Sequence, residues 1–385
     1  MARQHGAWAF VHLGADFASR APEGSPIRAG LGDPSVTPTG YDGQFAYYMA
    51  VAPLDAGCCM DSAAYRYARV GFPVLAGITG LGQPALVPYT MLLVNLVALG
   101  LTVMILAGWL RRHEVSGWWA LVYGFYPGLF QAVQTDTNEV LAYALVAAAV
   151  YLLEFGGRAR VLWAGLLFGA AGLTRETTLL FPAIYSVSLV ARGPGRARIS
   201  GLGLAALAAV PFVAYKLFLA ATFGSFGLGF SSGGAEVATV PLGGLLSFWP
   251  FEARQWVQLL GEVLPATLVA GLAVYRLVRG APRWELLAYL ANYVVLVLLL
   301  QRSSYFSFFD SGRIQAGVVL AAVMALPVLL GIAGRVPGAA GLAPGQADGA
   351  GRRPGLLVMV AACLLWLAVV PAGLVAPHSF HVFKL

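Results

Sequence analysis

The sequence predicts an all-α, polytopic helical membrane protein with about ten full transmembrane helices. Of its 385 residues, 59% are hydrophobic and only 11% are charged, which is too little polar surface for a soluble globule of this size. Apolar runs of roughly 17 to 25 residues recur almost to the C-terminus, long enough for helices that cross a hydrocarbon core about 30 Å thick. Outer-membrane strands would instead show a weak alternation over about ten residues. These observations favour a single membrane domain over residues 1–385.

The first apolar run is too short to cross a membrane. Residues 7–15, AWAFVHLGA, follow Arg3, and at about 1.5 Å per residue they reach only half-way through the hydrocarbon core. A signal peptide would have a longer apolar region and a small-residue cleavage site. We expect this run to be the exit end of a truncated first transmembrane helix, with a short interfacial anchor as the alternative.

The next segment is the most polar part of the chain, and we interpret residues 16–85 as the first extracytoplasmic loop. Residues 44–51 and 62–81 have an amphipathic helical pattern with aromatic residues suited to the headgroup region. We therefore predict helices that lie along the membrane. The acidic residues of this segment are Asp16, Glu23, Asp33, Asp42, Asp55 and Asp61.

The distribution of arginines among the loops predicts which side of the membrane each loop faces. The candidate spans are 86–110, 117–133, 139–155, 161–174, 177–191, 199–222, 261–278, 284–300, 313–334 and 355–376. Every second loop carries arginines, and the positive-inside rule places those loops in the cytoplasm, including a flexible loop at 335–354. The Asp42 loop, the 134–138 turn and the loops 223–260 and 301–312 then face outward. The predicted location is a bacterial cytoplasmic (inner) membrane with the site on its extracytoplasmic side.

Basic residues otherwise indicate no nucleic-acid partner. Only Lys216 and Lys384 among the 24 basic residues are lysine, and the net charge of +7 is spread over the loops. Cys58 and Cys59 are adjacent and Cys363 lies in an apolar run, so the spacing predicts neither a disulfide framework nor a zinc site.

The junction between 161–174 and 177–191 contains Arg175 and Glu176. Each of these two spans is only about 21 to 23 Å long, so the junction is expected below the outer membrane surface. An arginine there is costly unless it faces protein, water or an anion. Arg175 is thus a functional candidate, and a structural Arg175–Glu176 pair is the alternative.

Polar groups converge on the predicted outer face, whereas the helix middles are nearly bare of them apart from Lys216, Asn95 and Asn292. A pump or channel would tend to carry ionisable groups through its spans. The outward groups are Asp42, Asp61, Arg66, Arg69, Asp136, Glu139, Arg175, Glu176, Arg302, Asp310 and Arg313.

This arrangement suits sugar transfer from a polyprenyl phosphate. The phosphate is already a good leaving group, so one base suffices, and arginines or a divalent cation can stabilise the charge that grows on the phosphate. Asp42, on a turn between Gly40 and Gly43, is the predicted base. The predicted substrate-binding residues are Tyr41, Gln44, Tyr48, Arg66, Arg69, Asp136, Glu139, Arg175, Glu176 and Arg313.

Each assignment has a structural alternative. Asp42 can cap its turn, Arg66 and Arg69 can bind lipid headgroups, and Arg313 can pair with Asp310. Asp136 and Glu139 can cap the helix that begins near 139, or bind a metal or the acceptor. The two tyrosines and Gln44 of the 40–50 segment can serve packing alone.

Several motifs resemble a family of bacterial polytopic proteins linked to cell-surface glycopolymer formation, which is similar to the GT-C glycosyltransferases. They are GYDGQF at 40–45, YYMA at 47–50 with Pro53, YRYAR at 65–69, PG at 127–128 and LTRE at 173–176. The resemblance covers roughly residues 35–190. It implies that an acid in the first extracytoplasmic loop, here Asp42, is the base of an inverting transfer from a lipid-phosphate sugar to an envelope glycan, lipid or protein.

Two other classes of function stay open at this point. A transporter or flippase for lipid-linked glycans would need polar groups along a path through the helices. A non-catalytic assembly factor would use the same motif as an interface for a partner protein.

Overall fold

A computed structural model describes residues 6–193, 195–227, 238–280, 283–332 and 349–368. These residues are helical or irregular, apart from an isolated bridge between Gly14 and Thr37. The predicted all-α class is therefore confirmed. The helices are α1 Trp8–Val11, α2 Ala15–Ala18, α3 Gly43–Val51, α4 Ala63–Tyr67, α5 Gly71–Thr79, α6 Val87–Arg112, α7 Ala120–Gly124, α8 Pro127–Gln134, α9 Glu139–Phe155, α10 Arg160–Thr174, α11 Leu180–Arg192, α12 Gly195–Phe223, α13 Gly243–Leu246, α14 Ala253–Arg279, α15 Trp284–Leu298, α16 Phe308–Ile314, α17 Ala316–Leu329 and α18 Gly349–Leu367.

Residue contacts divide the chain into two compact units. The first unit comprises Met1–Leu101, Gln131–Leu179 and Gly203–Glu236. The second comprises Thr102–Phe130, Leu180–Leu202 and Val237–Leu385. The candidate site lies almost entirely in the first unit, and the single membrane domain stays a prediction.

Three helices in the described part of the chain are long and apolar enough to cross a membrane, namely α6, α12 and α14. Five further apolar helices, among them α10, α15 and α17, are shorter, with 10–17 residues. The protein is thus a helical membrane protein, while the count of ten spans is not confirmed.

The N-terminal apolar run is not one continuous helix. Helix α1 ends at Val11, His12 adopts a left-handed conformation with φ 51°, and Gly14 then pairs with Thr37. Val11 and Leu13 are fully buried within the fold. The expected exit end of a transmembrane helix is replaced by a helical turn that leads into extended chain.

The amphipathic segments of the polar loop do form helices. They are α3, α4 and α5, and the nine residues of α5 extend only about 14 Å, too short for a span. In α3, seven of the nine residues are buried, because it packs against α1 and α5. The helical pattern is confirmed, and the position of these helices along a membrane stays a prediction.

The break predicted at Arg175 is present. Helix α10 ends at Thr174, Arg175 is extended with φ −157°, and a 3-10 turn at Glu176–Leu179 precedes α11. Thr178 Oγ donates a hydrogen bond to the Arg175 carbonyl and fixes this turn. The Arg175 side chain therefore projects from the non-helical junction between α10 and α11.

The prediction that the helix middles are nearly free of ionisable groups is wrong for α14. The helix begins at Ala253, earlier than expected, and so contains the fully buried Glu262 within a π-helical stretch at Leu259–Val263. Gln315 donates to the Glu262 carboxylate at 3.3 Å. The apolar pattern does not show where a helix begins. The predicted span 261–278 therefore had Glu262 at its end.

Two further expectations differ from the structure. Residues 349–354, assigned to the flexible loop at 335–354, belong to the start of α18, and 335–348 lie outside the described residues. Cys58 and Cys59 form a disulfide with each other, although adjacent cysteines did not indicate a framework. Most of the glycine-rich run at 224–234 is likewise not described.

The segment around Gly43 sits where two parts of the first unit meet. A Cβ atom on Gly43 would collide with the carbonyl oxygen of Thr135 and lie 3.1 Å from that of Val11. His12 Nε2 also lies 3.1 Å from the Gln134 carbonyl. The start of α3 is therefore held against the 134–138 turn by direct backbone contact.

We predict that Gly43→Ala lowers the melting midpoint of the detergent-purified protein, since the added methyl group must displace backbone, at a cost of about 1–3 kcal/mol. Gly32→Ala is the control, because a Cβ there meets no atom within 4 Å. Equal melting midpoints for the two variants would contradict the contact.

Candidate active site

The Asp42 turn is braced by the chain at 12–14. Gly40 has φ 67°, and a Cβ there would lie 2.5 Å from the His12 carbonyl oxygen, so this position requires glycine. Gln44 Oε1 accepts hydrogen bonds from Gly14 N at 2.9 Å and from the Tyr48 hydroxyl at 3.0 Å. Gln44 and Tyr48 are buried, so their polar atoms hold the motif together.

The Asp42 carboxylate does not cap the following helix. It makes no hydrogen bond to the first turn of α3, and its nearest charged partner is Arg66, whose Nη1 donates to Oδ1 at 2.9 Å. The side chain is 28% exposed. Tyr41, beside it, lies edge-on to the His12 ring with centroids 6.2 Å apart. Asp42 is thus a reachable carboxylate on a fixed turn.

Arg66 joins two carboxylates. Besides Asp42, it binds Asp61 through Nε at 2.9 Å and Nη2 at 2.6 Å. Its guanidinium group stacks over the Phe45 ring at 4.3 Å. Such a bidentate, stacked arrangement suits arginine and not lysine. The sequence pointed to Arg66 but did not predict that Asp61 would share it.

The row of charges continues through Arg69. Its guanidinium lies 4.5 Å from the Tyr65 ring centroid and binds the Glu176 carboxylate through two hydrogen bonds of 2.7 and 3.2 Å. Burial opposes ionisation of Glu176, but the Arg69 charge outweighs it and holds the pKa of Glu176 well below its usual range. This pair therefore stays ionised across the physiological range.

Arg175 pairs with Glu139 and not with Glu176. Its Nη1 lies 2.5 Å from the Glu139 carboxylate, and both side chains are almost fully buried. Asn138 donates to the Thr174 carbonyl at 2.9 Å and so anchors the end of α10 beside the start of α9. The alternative of an Arg175–Glu176 pair is therefore wrong, because the extended Arg175 directs its side chain to Glu139 on α9.

Asp136 is a buried acid of a different kind. It adopts φ 46°, is fully buried, and neither carboxyl oxygen has a hydrogen-bond partner among the described residues. Burial raises the pKa of Asp136 well above its usual range, and the Asn95 side chain offsets only part of this effect. Asp136 therefore does not cap α9. The described residues contain no cluster of three metal-binding side chains.

Arg313 belongs to the second unit. It lies on α16, with Nε 3.8 Å from Asp310 Oδ1, which is the pairing considered in the sequence analysis. The first unit thus contains the ion pairs Arg66–Asp42, Arg69–Glu176 and Arg175–Glu139, and Arg313 lies outside that unit.

A comparison with known families decides the class of protein. The model of glycosyltransferase family 87 matches residues 71–301, more than half of the chain. The chain belongs to glycosyltransferase family 87. The family match includes Asp136, Glu139, Arg175 and Glu176, whereas Asp42 and its YDGQF motif precede the matched region. No curated protein and no solved structure matches the chain.

Family membership establishes a membrane glycosyltransferase with a sugar donor and an acceptor. The buried Arg175–Glu139 pair lies inside the matched region and Asp42 outside it. Both Asp42 and the Arg175–Glu139 pair lie in the first unit.

For the Arg175–Glu139 pair, we predict that Arg175→Met lowers the free energy of unfolding by about 3–5 kcal/mol, because it leaves a buried carboxylate without its cation. The double variant Arg175→Met, Glu139→Gln should recover most of this loss. Thermal or detergent-denaturation curves measure the effect. A double variant that is folded but fails to transfer sugar would assign Arg175 to substrate binding, whereas full recovery of transfer would show a structural pair only.

For Asp136, we predict that its contribution to protein stability falls as pH rises above about 4. A carboxyl group whose pKa is raised in the folded state binds more protons folded than unfolded, so its contribution is complete below the unfolded pKa, about 3.9, and is lost as pH passes the folded pKa. Asp136→Asn should flatten this part of the pH profile of melting midpoints. An unchanged slope in the variant would contradict a neutral Asp136.

Proposed function

We propose that this protein transfers a sugar from a polyprenyl-phosphate donor to an envelope glycan, lipid or protein acceptor, with Asp42 as general base. The observation that carries the proposal is the accessible Asp42 carboxylate on a rigid turn, next to a row of guanidinium groups. The reaction takes place on the extracytoplasmic face of a bacterial cytoplasmic membrane. Arginine distribution between loops supports that side.

The chemical step needs one proton acceptor. As the acceptor hydroxyl oxygen bonds to the anomeric carbon, its proton passes to the Asp42 carboxylate. The bond between that carbon and the phosphate oxygen breaks, and the electron pair leaves with the polyprenyl phosphate. Direct displacement inverts the anomeric configuration. General-base assistance of this kind is typically worth about 10²–10⁴-fold in rate.

The ion pair with Arg66 prepares Asp42 for this role. It holds the carboxylate beside the guanidinium group and limits the rotation of the side chain. Asp61 keeps Arg66 in place through two hydrogen bonds. We therefore assign Arg66 as a positioning residue and Asp42 as the catalytic residue.

The remaining cations can stabilise the leaving phosphate. Arg69 and Arg175 already hold carboxylates, so a donor phosphate would join an existing network instead of meeting isolated charges. A divalent cation stays an alternative way to stabilise that charge.

We predict that Asp42→Asn reduces transfer by at least about 100-fold with normal expression and melting midpoint. The protein is reconstituted in vesicles with a panel of undecaprenyl-phosphate-linked sugars, and release of undecaprenyl phosphate is measured. Asp61→Asn removes the other carboxylate from Arg66 and should cost much less. Full transfer by Asp42→Asn would reject the assignment, and equal losses in both variants would show that only the charge balance around Arg66 matters.

A further inference from the structure

Lys216 is a buried cation on an otherwise outward-facing helix. It lies on α12, seven residues before the helix ends at Phe223, or about 10 Å along the axis. Its residue exposure is 5%, whereas Leu217 and Phe218 beside it are more than half exposed. An ionisable group in such a helix is costly unless a partner compensates its charge.

The protein supplies only part of that compensation. The Lys216 ammonium group donates to the Gly227 carbonyl at 3.2 Å and lies 5.2 Å from the centre of the Phe212 ring. An ammonium group has three hydrogens to donate. Among the described residues, no carboxylate lies within ion-pair distance of it. Within the described part of the chain, Lys216 therefore makes a single hydrogen bond and has no direct counter-ion.

Lys216 belongs to the first unit, which also contains Arg69 and Glu176. Tyr215, the preceding residue, donates its hydroxyl hydrogen to the Tyr67 carbonyl at 3.0 Å, which places this part of α12 beside α4. Among the described residues, Arg69 forms an ion pair with Glu176, whereas Lys216 forms none.

The Arg69 guanidinium keeps some donor capacity as well. Its pair with Glu176 uses Nε and Nη2, and the described residues offer no hydrogen bond to Nη1. A buried ammonium group and a guanidinium nitrogen that still has hydrogens to donate can both form hydrogen bonds to a phosphate.

We propose that Lys216, together with Arg69, binds the phosphate group of a lipid whose hydrocarbon chain lies along the exposed side of α12. That side presents Val210, Val213 and Leu217, which are all more than half exposed and follow helical spacing. The inference rests on the proposed function in one respect, since there the lipid is the polyprenyl-phosphate donor. A bilayer phospholipid would offer the same phosphate chemistry.

The test uses undecaprenyl phosphate, the product common to every undecaprenyl-phosphate sugar donor. Full-length protein in phosphatidylcholine nanodiscs is titrated with undecaprenyl phosphate and with undecaprenol, which lacks the phosphate. Lys216→Met should weaken binding of the phosphate by about 10-fold or more, the usual effect of losing a charged hydrogen-bond donor. Undecaprenol binding should not change, and Lys216→Arg should keep most of the affinity.

Phosphatidylglycerol added to the nanodiscs identifies the source of the phosphate. If it displaces undecaprenyl phosphate at equal concentration, the bound lipid is a bilayer phospholipid. If it does not, the isoprenoid phosphate is the ligand. Both results support a phosphate site at Lys216.

Two results would overturn the inference. One is unchanged undecaprenyl phosphate affinity in folded Lys216→Met or, should that variant not fold, in Lys216→Gln. The other is an equal loss of undecaprenol binding, which would show a packing role. Asp42→Asn should bind undecaprenyl phosphate like the wild type, so a failure of the proposed base is seen in transfer and a failure of this site is seen in binding.

Discussion

Charge pairing in an apolar protein is the constraint on which the candidate site depends. A buried ion is costly unless an opposite charge and hydrogen bonds compensate it. In the first unit, Arg66 holds two carboxylates, Arg69 holds Glu176 and Arg175 holds Glu139. The arginines are therefore fixed before any substrate arrives. In the proposed function, the donor phosphate would gain from this preorganisation, because the cations are already oriented in the folded protein.

The sequence predicted the parts of this site that depend on local pattern. Composition and long apolar runs indicate the helical membrane class, and a glycine-flanked acid indicates a turn. The break at Arg175 followed from the arginines at 192–198, which one long helix would have placed outside the cytoplasm. The structure agrees with the helical class, the turn and the break.

Ion pairs between residues far apart in the sequence could not be predicted from local sequence pattern. Arg175 lies next to Glu176 in the chain, yet its side chain reaches Glu139, because an extended residue directs its side chain away from its neighbour. The burial of Asp136 and Lys216 likewise depends on which helices pack around them. The family match supplied the enzyme class independently, through residues 71–301 that carry few of the motifs noticed first.

The backbone contact between Gly43 and Thr135 links two segments about ninety positions apart in the chain. One belongs to the motif that contains the proposed base, Asp42, and the other connects α8 to α9. An inserted residue in the 134–138 turn would push on the start of α3 and tilt Asp42 relative to Arg66. The length of that connection should therefore be invariant among homologues that keep the motif, and a chimaeric protein that exchanges one segment without the other should lose its activity while keeping its helices.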